Sequence, residues 1–339
     1  MKEILYFPKL DLKFNLERVA FSIGFVKVYW YGILITIGFM LGMVYVSLLS
    51  KKKFGLKMDD IIDIIIYSVI GGIIGARFYY VVFNFNFYKH NIWEIFKIWE
   101  GGIAIYGGII GAFLVGIIIC KKRKVPVLPM LDLVVGGLIL GQAIGRWGNF
   151  VNIEAFGKNT NLPWGMTSVS IQRYLAENMQ KLTSQGVNIE ISGNVHPCFL
   201  YESIWCIIGF FLILFITIKS NYIYSGYNTT TVADKNDCSN VENVKKKKWN
   251  IYPGDLVLVY FIWYGFGRFI IEDLRVDSLM VNNIRVSKFL SAVLILTSIG
   301  LLIISRWLKN RNYNKSDVVV SVNTGSAEEI LKRIANREE

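Results

Sequence analysis

The chain has 339 residues, of which 53% are hydrophobic and only 18% charged, with a mean hydropathy of +0.43. That balance excludes an ordinary soluble domain and predicts a polytopic membrane protein. The net charge of +12 requires no nucleic acid, because the lysines and arginines cluster at the ends of apolar runs, where they can rest on anionic lipid headgroups.

Residues 1–27 mix aromatic and charged side chains without a separate apolar core. They do not read as a cleavable signal peptide and are expected to lie on the outer surface as an amphipathic lead-in. Apolar runs of spanning length follow at about residues 28–49, 61–83, 103–120, 127–144, 199–218, 251–271 and 289–304. These seven runs define an all-α membrane domain over residues 28–308. Lys51, Lys52, Lys53 and Lys57 follow the first run, and Lys121, Lys122, Arg123 and Lys124 follow the third. Lys245, Lys246, Lys247 and Lys248 precede the sixth run, and Arg306, Lys309 and Arg311 follow the seventh. By the positive-inside rule those segments are cytoplasmic, which puts the N-terminus outside and the C-terminus inside.

The second and third spans share the hexapeptide Gly-Gly-Ile-Ile-Gly-Ala at 71–76 and 107–112. Small residues four apart let membrane helices approach closely. Arg77, just after the first copy, is open to three readings: pairing with a carboxylate, snorkelling outward, or holding an anionic ligand. Asp132, one turn into the fourth span, is favoured by the helix dipole and reads as structural.

The fourth span runs into Gly145-Arg146-Trp147-Gly148-Asn149-Phe150-Val151-Asn152-Ile153-Glu154-Ala155-Phe156-Gly157. Charge at a membrane boundary is costly unless paired or used. Three glycines and two aromatics among these positions suit a backbone folded closely around a polar ligand better than a plain helix end. The outer segment that follows, to about residue 197, is too long for a simple connection and is expected to cap the site or to read a substrate. Tyr201 and Glu202 then open the fifth span. For Glu202 a helix-starting carboxylate competes with a functional one. Residues 220–250 are polar and lysine-rich, as expected of a flexible cytoplasmic loop. Tyr264, Arg268 and Glu272 recur every four residues and line one helix face, where an internal Arg268–Glu272 pair is the structural alternative to a ligand site. Residues 309–339 read as a cytoplasmic tail with a short amphipathic ending near Ile330 to Ile334. Cys120, Cys198, Cys206 and Cys238, with His90 and His196, show no disulfide or metal spacing.

The signature resembles that of the prolipoprotein diacylglyceryl transferase family through Gly145, Arg146, Gly148, Asn149, Phe150, Asn152, Glu154 and Gly157. Tyr31 stands in a tryptophan-tyrosine-glycine step like the family's functional one. His196-Pro197-Cys198-Phe199-Leu200-Tyr201-Glu202 is similar to a second family element, and Tyr264, Arg268 and Glu272 match a third. Gly101 to Gly108 resembles a fourth, except that Tyr106 stands where many members have a histidine proposed to act in catalysis. A phenol with an ordinary pKa of about 10 does not replace an imidazole as a base unless that pKa is strongly lowered.

The resemblance implies that a diacylglyceryl group moves from phosphatidylglycerol to the thiol of a lipobox cysteine in a prolipoprotein signal peptide, with release of glycerol phosphate, at a bacterial cell membrane. It implies catalytic roles for Arg146, Arg268, Glu154, Tyr106 and Glu272. Substrate contacts would come from Tyr31, Arg77, Asn149, Asn152, Gly157, Tyr201, Glu202 and Tyr264. Arg146 and Arg268 suit a departing phosphate, and Glu154, Glu202, Glu272 and Tyr106 remain alternative bases. No metal, nucleotide or redox cofactor is required. The polar residues all fall at the outer ends of their spans, which suits a phospholipid headgroup. A transporter would place them near the midplane. The competing class is a lipid-binding scaffold that grips anionic headgroups with the same arginines.

Overall fold

The computed structural model describes residues 2–24, 26–89, 91–222, 250–278, 280–281 and 284–312. The expected cytoplasmic loop beyond Tyr222, its lysine run, Cys238, His90 and the tail from residue 313 lie outside the described residues. In chain order come β1 (Lys2–Phe7), β2 (Leu12–Glu17), β3 (Val19–Ile23), β4 (Val26–Tyr29), α1 (Trp30–Leu49), α2 (Met58–Phe83), the short α3 (Phe85–Tyr88), α4 (Ile105–Lys122) and α5 (Val127–Asn152). Then follow α6 (Val169–Glu177), α7 (Met179–Ser184), α8 (Cys198–Lys219), β5 (Asn221–Tyr222), β6 (Asn250–Ile251), α9 (Asp255–Ile271), β7 (Met280–Val281), β8 (Ile284–Arg285) and α10 (Val286–Asn312). The chain divides into two compact units, Ser47–Leu133 and Met1–Val46 with Val134–Glu339.

Six of the described helices are long and apolar enough to cross a membrane. α9 has 17 residues, about 25 Å of helix at 1.5 Å per residue. It begins later than the apolar run suggests because Gly254 adopts a left-handed conformation (φ 93°) immediately before it, after Pro253. Residues 250–251 instead form β6, paired in parallel with β5.

Within Ser47–Leu133, α2 packs along α4 through the two copies of the shared hexapeptide. A Cβ on Gly75 would lie 2.9 Å from the Gly111 Cα, so the small residues set the closeness of the helices, as expected of such spacing. In the other unit, Gly38 faces Gly141 and Gly42 faces Gly137 in the same way, joining α1 to α5. α8, α9 and α10 pack in succession.

The lead-in departs from the expected all-α fold. Residues 2–29 form two antiparallel hairpins, β1–β2 and β3–β4. The reason is a period of two: in Lys2-Glu3-Ile4-Leu5-Tyr6-Phe7 the alternate residues Leu5 and Phe7 are buried. They join Phe156, Met166, Ile171, Leu175 and Phe199 in one apolar core, so the lead-in and the segment after α5 share a core. The signature also departs from expectation. It is helical as far as Asn152 and leaves the helix only where Ile153 and Ala155 turn left-handed (φ 58° and 55°).

Glu3 ties the first hairpin to the start of α6. Its carboxylate accepts from the backbone N–H of Ser170 at 2.7 Å and from the Ser170 hydroxyl at 2.6 Å. Burial raises its pKa, but those hydrogen bonds outweigh it and hold the carboxyl below its ordinary 4.5. A carboxyl held below its unfolded value stabilises above that value, and the contribution is lost as pH falls through the folded one. Protection of segment 166–177 from proteolysis is therefore expected to fall in wild type as pH drops below 4.5. Glu3→Gln is expected to be less protected already at neutral pH, and identical profiles would remove Glu3 from this role.

Candidate functional site

Glu202 sits one turn into α8, with its side chain 5% exposed. Three arginines converge on it. Arg146, two turns before the end of α5, places Nε 2.6 Å from Oε2. Arg268, in the last turn of α9, donates from Nη1 to Oε1 at 2.7 Å, and Arg275 donates from Nη1 to the same oxygen at 3.0 Å. A buried carboxylate is costly unless paired, and here one carboxylate is shared by arginines from three segments of chain.

The cluster continues through Arg268 Nη2, 2.8 Å from Oε2 of the fully buried Glu272. The contacts to Oε2 of Glu202 and of Glu272 are short ion pairs at angles unsuited to linear hydrogen bonds, so they act through coulombic attraction. Glu272 Oε1 has no hydrogen-bond donor among the described residues. The Glu272 carbonyl accepts from Arg285. Arg275 is clamped by Asp277, whose carboxylate accepts from Nε at 2.9 Å and Nη2 at 2.6 Å. Burial works against the Arg275 charge, but Asp277 and Glu202 outweigh it and raise its pKa.

Arg275 and Asp277 were not singled out from sequence. The available signal was the helical face itself: Arg268, Glu272 and Arg275 continue at i, i+4 and i+7, one turn past the end of the apolar run. Arg275 is positioned from the other side by the signature's last glycine. Gly157 bridges to Arg275, and a Cβ there would lie 2.7 Å from the Leu274 carbonyl oxygen and 2.8 Å from Cys198 Sγ. Glycine is what permits this approach of the two backbones.

Arg146 contacts Glu202 through Nε, and its two terminal nitrogens have no partner among the described residues. Glu154 is exposed just beyond α5. Its Oε2 accepts from Asn149 Nδ2 at 3.4 Å and its backbone N–H bonds the Asn149 carbonyl at 2.8 Å. No arginine clamps it among the described residues.

The remaining expected residues are placed as follows. The Tyr31 ring lies against Gly148, where a Cβ would overlap it. The Asn152 carbonyl accepts from Arg18 at 3.1 Å. The Tyr201 hydroxyl accepts from Trp164 Nε1 at 2.7 Å and lies 3.1 Å from His196 Nδ1. Burial, with Lys158 nearby, lowers the His196 pKa, which favours the neutral ring. Tyr264 stacks on Tyr260 with ring centroids 5.8 Å apart. Arg77 and Tyr106 belong to the other unit. Tyr106 is exposed in the first turn of α4. Arg77 is buried and donates to carbonyls rather than to a carboxylate.

A pair of tryptophans sets the spacing between α8 and α9. Trp205 Nε1 donates to the Trp263 carbonyl at 2.9 Å and Trp263 Nε1 to the Trp205 carbonyl at 3.0 Å, with the rings stacked 4.4 Å apart. Each ring fills the space over a glycine of the facing helix, Trp263 over Gly209 and Trp205 over Gly267. Trp205 is one turn from Glu202, and Trp263 lies five residues before Arg268. Trp205→Phe keeps a stacking ring but loses the N–H, with an expected cost of about 1 kcal/mol. A double-mutant cycle of thermal stability with Trp263→Phe should show coupling, and strict additivity would argue against a joint clasp.

Membrane-length helices with an arginine–carboxylate cluster at their ends define a multi-pass membrane protein with a charged site where helices leave the apolar zone. A family model described as prolipoprotein diacylglyceryl transferase matches residues 18–232 and 240–304. The phosphatidylglycerol–prolipoprotein diacylglyceryl transferase of Ligilactobacillus salivarius (strain UCC118) is 37% identical over 293 residues, covering 86% of this chain and 94% of that protein. The protein of the same name from Staphylococcus aureus (strain Newman) is 38% identical over 300 residues, covering 88% and 92%. The chain belongs to the prolipoprotein diacylglyceryl transferase family.

Proposed function

We propose that this protein transfers the diacylglyceryl group of phosphatidylglycerol to the thiol of a lipobox cysteine in prolipoprotein signal peptides, the first step of bacterial lipoprotein maturation. The reading rests on family membership and on one observation: Arg146 presents two unpartnered terminal nitrogens beside a carboxylate that organises the other arginines. The protein works in the bacterial cell membrane with α9 as the sixth of seven spans, the N-terminus outside and the C-terminus inside. The site then faces the outer leaflet, where an exported precursor arrives.

In the reaction the cysteine sulfur bonds to the glyceryl carbon next to the phosphate. The carbon–oxygen bond breaks, its electron pair stays on the phosphate oxygen, and glycerol phosphate leaves. Arg146 holds that phosphate as charge accumulates, through the planar fork of a guanidinium. Arg268, held by Glu202 and Glu272, and Arg275 add positive potential. That potential favours the thiolate, whose ordinary pKa is about 8.5. Glu154 takes the thiol proton, because Glu202 and Glu272 are occupied by arginines. Asn149 orients Glu154, while Tyr31, Asn152, Gly157, Tyr201 and Tyr264 shape the surrounding pocket.

The test uses vesicles holding the protein, phosphatidylglycerol labelled in its acyl chains, and lipobox peptides carrying cysteine or serine. Label should pass to the cysteine peptide alone, and Glu154→Gln should slow transfer by about 10²- to 10⁴-fold without weakening lipid binding. Lipid binding with no transfer to either peptide would instead make the chain a headgroup-binding scaffold.

A further inference from the structure

The connection from α2 to α4, described at residues 84–89 and 91–104, combines two features that together point to its surroundings. Apart from Tyr88 and Ile95, its large apolar side chains face outward: Phe85, Phe87, Trp93, Phe96, Trp99 and Ile103 are all exposed, Trp93 by 78% and Trp99 by 76%. Its backbone is irregular, passing through α3, two 3₁₀ turns and the left-handed Gly101 and Gly102. In water such carbonyls need no help. In lipid each unsatisfied one would cost several kcal/mol.

Arg77 supplies what water would otherwise provide. Its Nε donates to the Ile95 carbonyl at 2.7 Å, Nη1 to Gly101 and Gly102 at 2.7 and 2.8 Å, and Nη2 to Glu94 and Lys97 at 2.5 and 3.5 Å. A guanidinium has five N–H donors, and here each has a carbonyl within the connection. The Tyr88 ring covers the cation, 5.2 Å from its centre. Ala104 N–H completes the set by bonding the Ala76 carbonyl at 3.0 Å.

We propose that residues 84–104 form a lip embedded in the interfacial zone of the bilayer, with its aromatic side chains among the lipids and Arg77 as the internal donor that makes its irregular backbone tolerable there. The lip continues directly from exposed Phe83 and into exposed Ile105 at the ends of two membrane-length helices. Tryptophan and phenylalanine flanked by Lys89 and Lys97 are the composition of a membrane interface. A protein partner would not require the carbonyls that Arg77 caps to be satisfied beforehand. Which leaflet the lip occupies rests on the orientation proposed above, and the test below does not.

The test reconstitutes wild type and Trp93→Phe/Trp99→Phe into vesicles whose acyl chains are brominated in both leaflets, and reads the difference in tryptophan emission. That difference should be lost to the brominated chains and retained against aqueous iodide. Quenching by iodide, or by neither agent as at a protein–protein contact, would overturn the proposal. Arg77→Lys, which keeps the charge but offers three donors from one point, should move the same difference signal toward iodide. An unchanged pattern in that variant would remove Arg77 from its place in the lip.

Discussion

Arg146→Ala is expected to reduce lipid transfer by about 10²- to 10³-fold or more, the scale seen when a charge-stabilising donor is removed from a reacting centre. The protein should still fold, because Arg268 and Arg275 continue to hold Glu202 through Oε1. Arg146→Lys separates charge from geometry. It restores a cation but not the planar pair of terminal nitrogens that Arg146 leaves unpartnered, so recovery should be partial. Transfer rates measured at saturating phosphatidylglycerol decide the matter. Wild-type turnover in Arg146→Ala would move the phosphate site elsewhere.

Glu202→Ala is expected to produce the largest loss of stability, about 3–5 kcal/mol, the cost of breaking a buried ion pair by removing one partner. The reason is specific to this cluster. Arg146, Arg268 and Arg275 have side chains only 24%, 19% and 10% exposed, and they share this carboxylate. Without it three buried cations repel one another. Thermal unfolding of the detergent-solubilised protein reads the loss. Adding Arg146→Met to Glu202→Ala should recover part of it, because Arg146 is the arginine left with no carboxylate, whereas Arg268 keeps Glu272 and Arg275 keeps Asp277. A Glu202→Ala protein as stable as wild type would mean that the arginines are satisfied by other groups.

Much of the site was legible in the chain. Tyr264, Arg268 and Glu272 share a helix face by spacing alone, and Arg146 and Glu202 stood out as charges entering apolar runs. The Arg268–Glu272 pair, read as a structural alternative, exists, yet it is only one edge of a larger cluster. What the pattern hid has physical causes. Arg275 continues the spacing of Arg268 and Glu272 but lies past the helix end and the apolar run, and it is brought in by the approach of Gly157 to Leu274. The signature's glycines suggested a loop, but Gly148 is helical because its missing side chain makes room for Tyr31. The β1 alternation is one short strand long and was masked by its charges. The Arg77 contacts are to main-chain carbonyls, which carry no sequence signal. The Trp205–Trp263 clasp joins residues 58 apart in the chain, and only tertiary packing pairs them.

The central claim is group transfer at this arginine–carboxylate site. The most direct measurement incubates the purified protein in vesicles with phosphatidylglycerol and a single-cysteine lipobox peptide, then weighs the peptide and assays glycerol phosphate in the same sample. A peptide heavier by one diacylglyceryl group through a thioether, with one glycerol phosphate released for each, is the predicted result. An unmodified peptide beside protein that binds phosphatidylglycerol would contradict it.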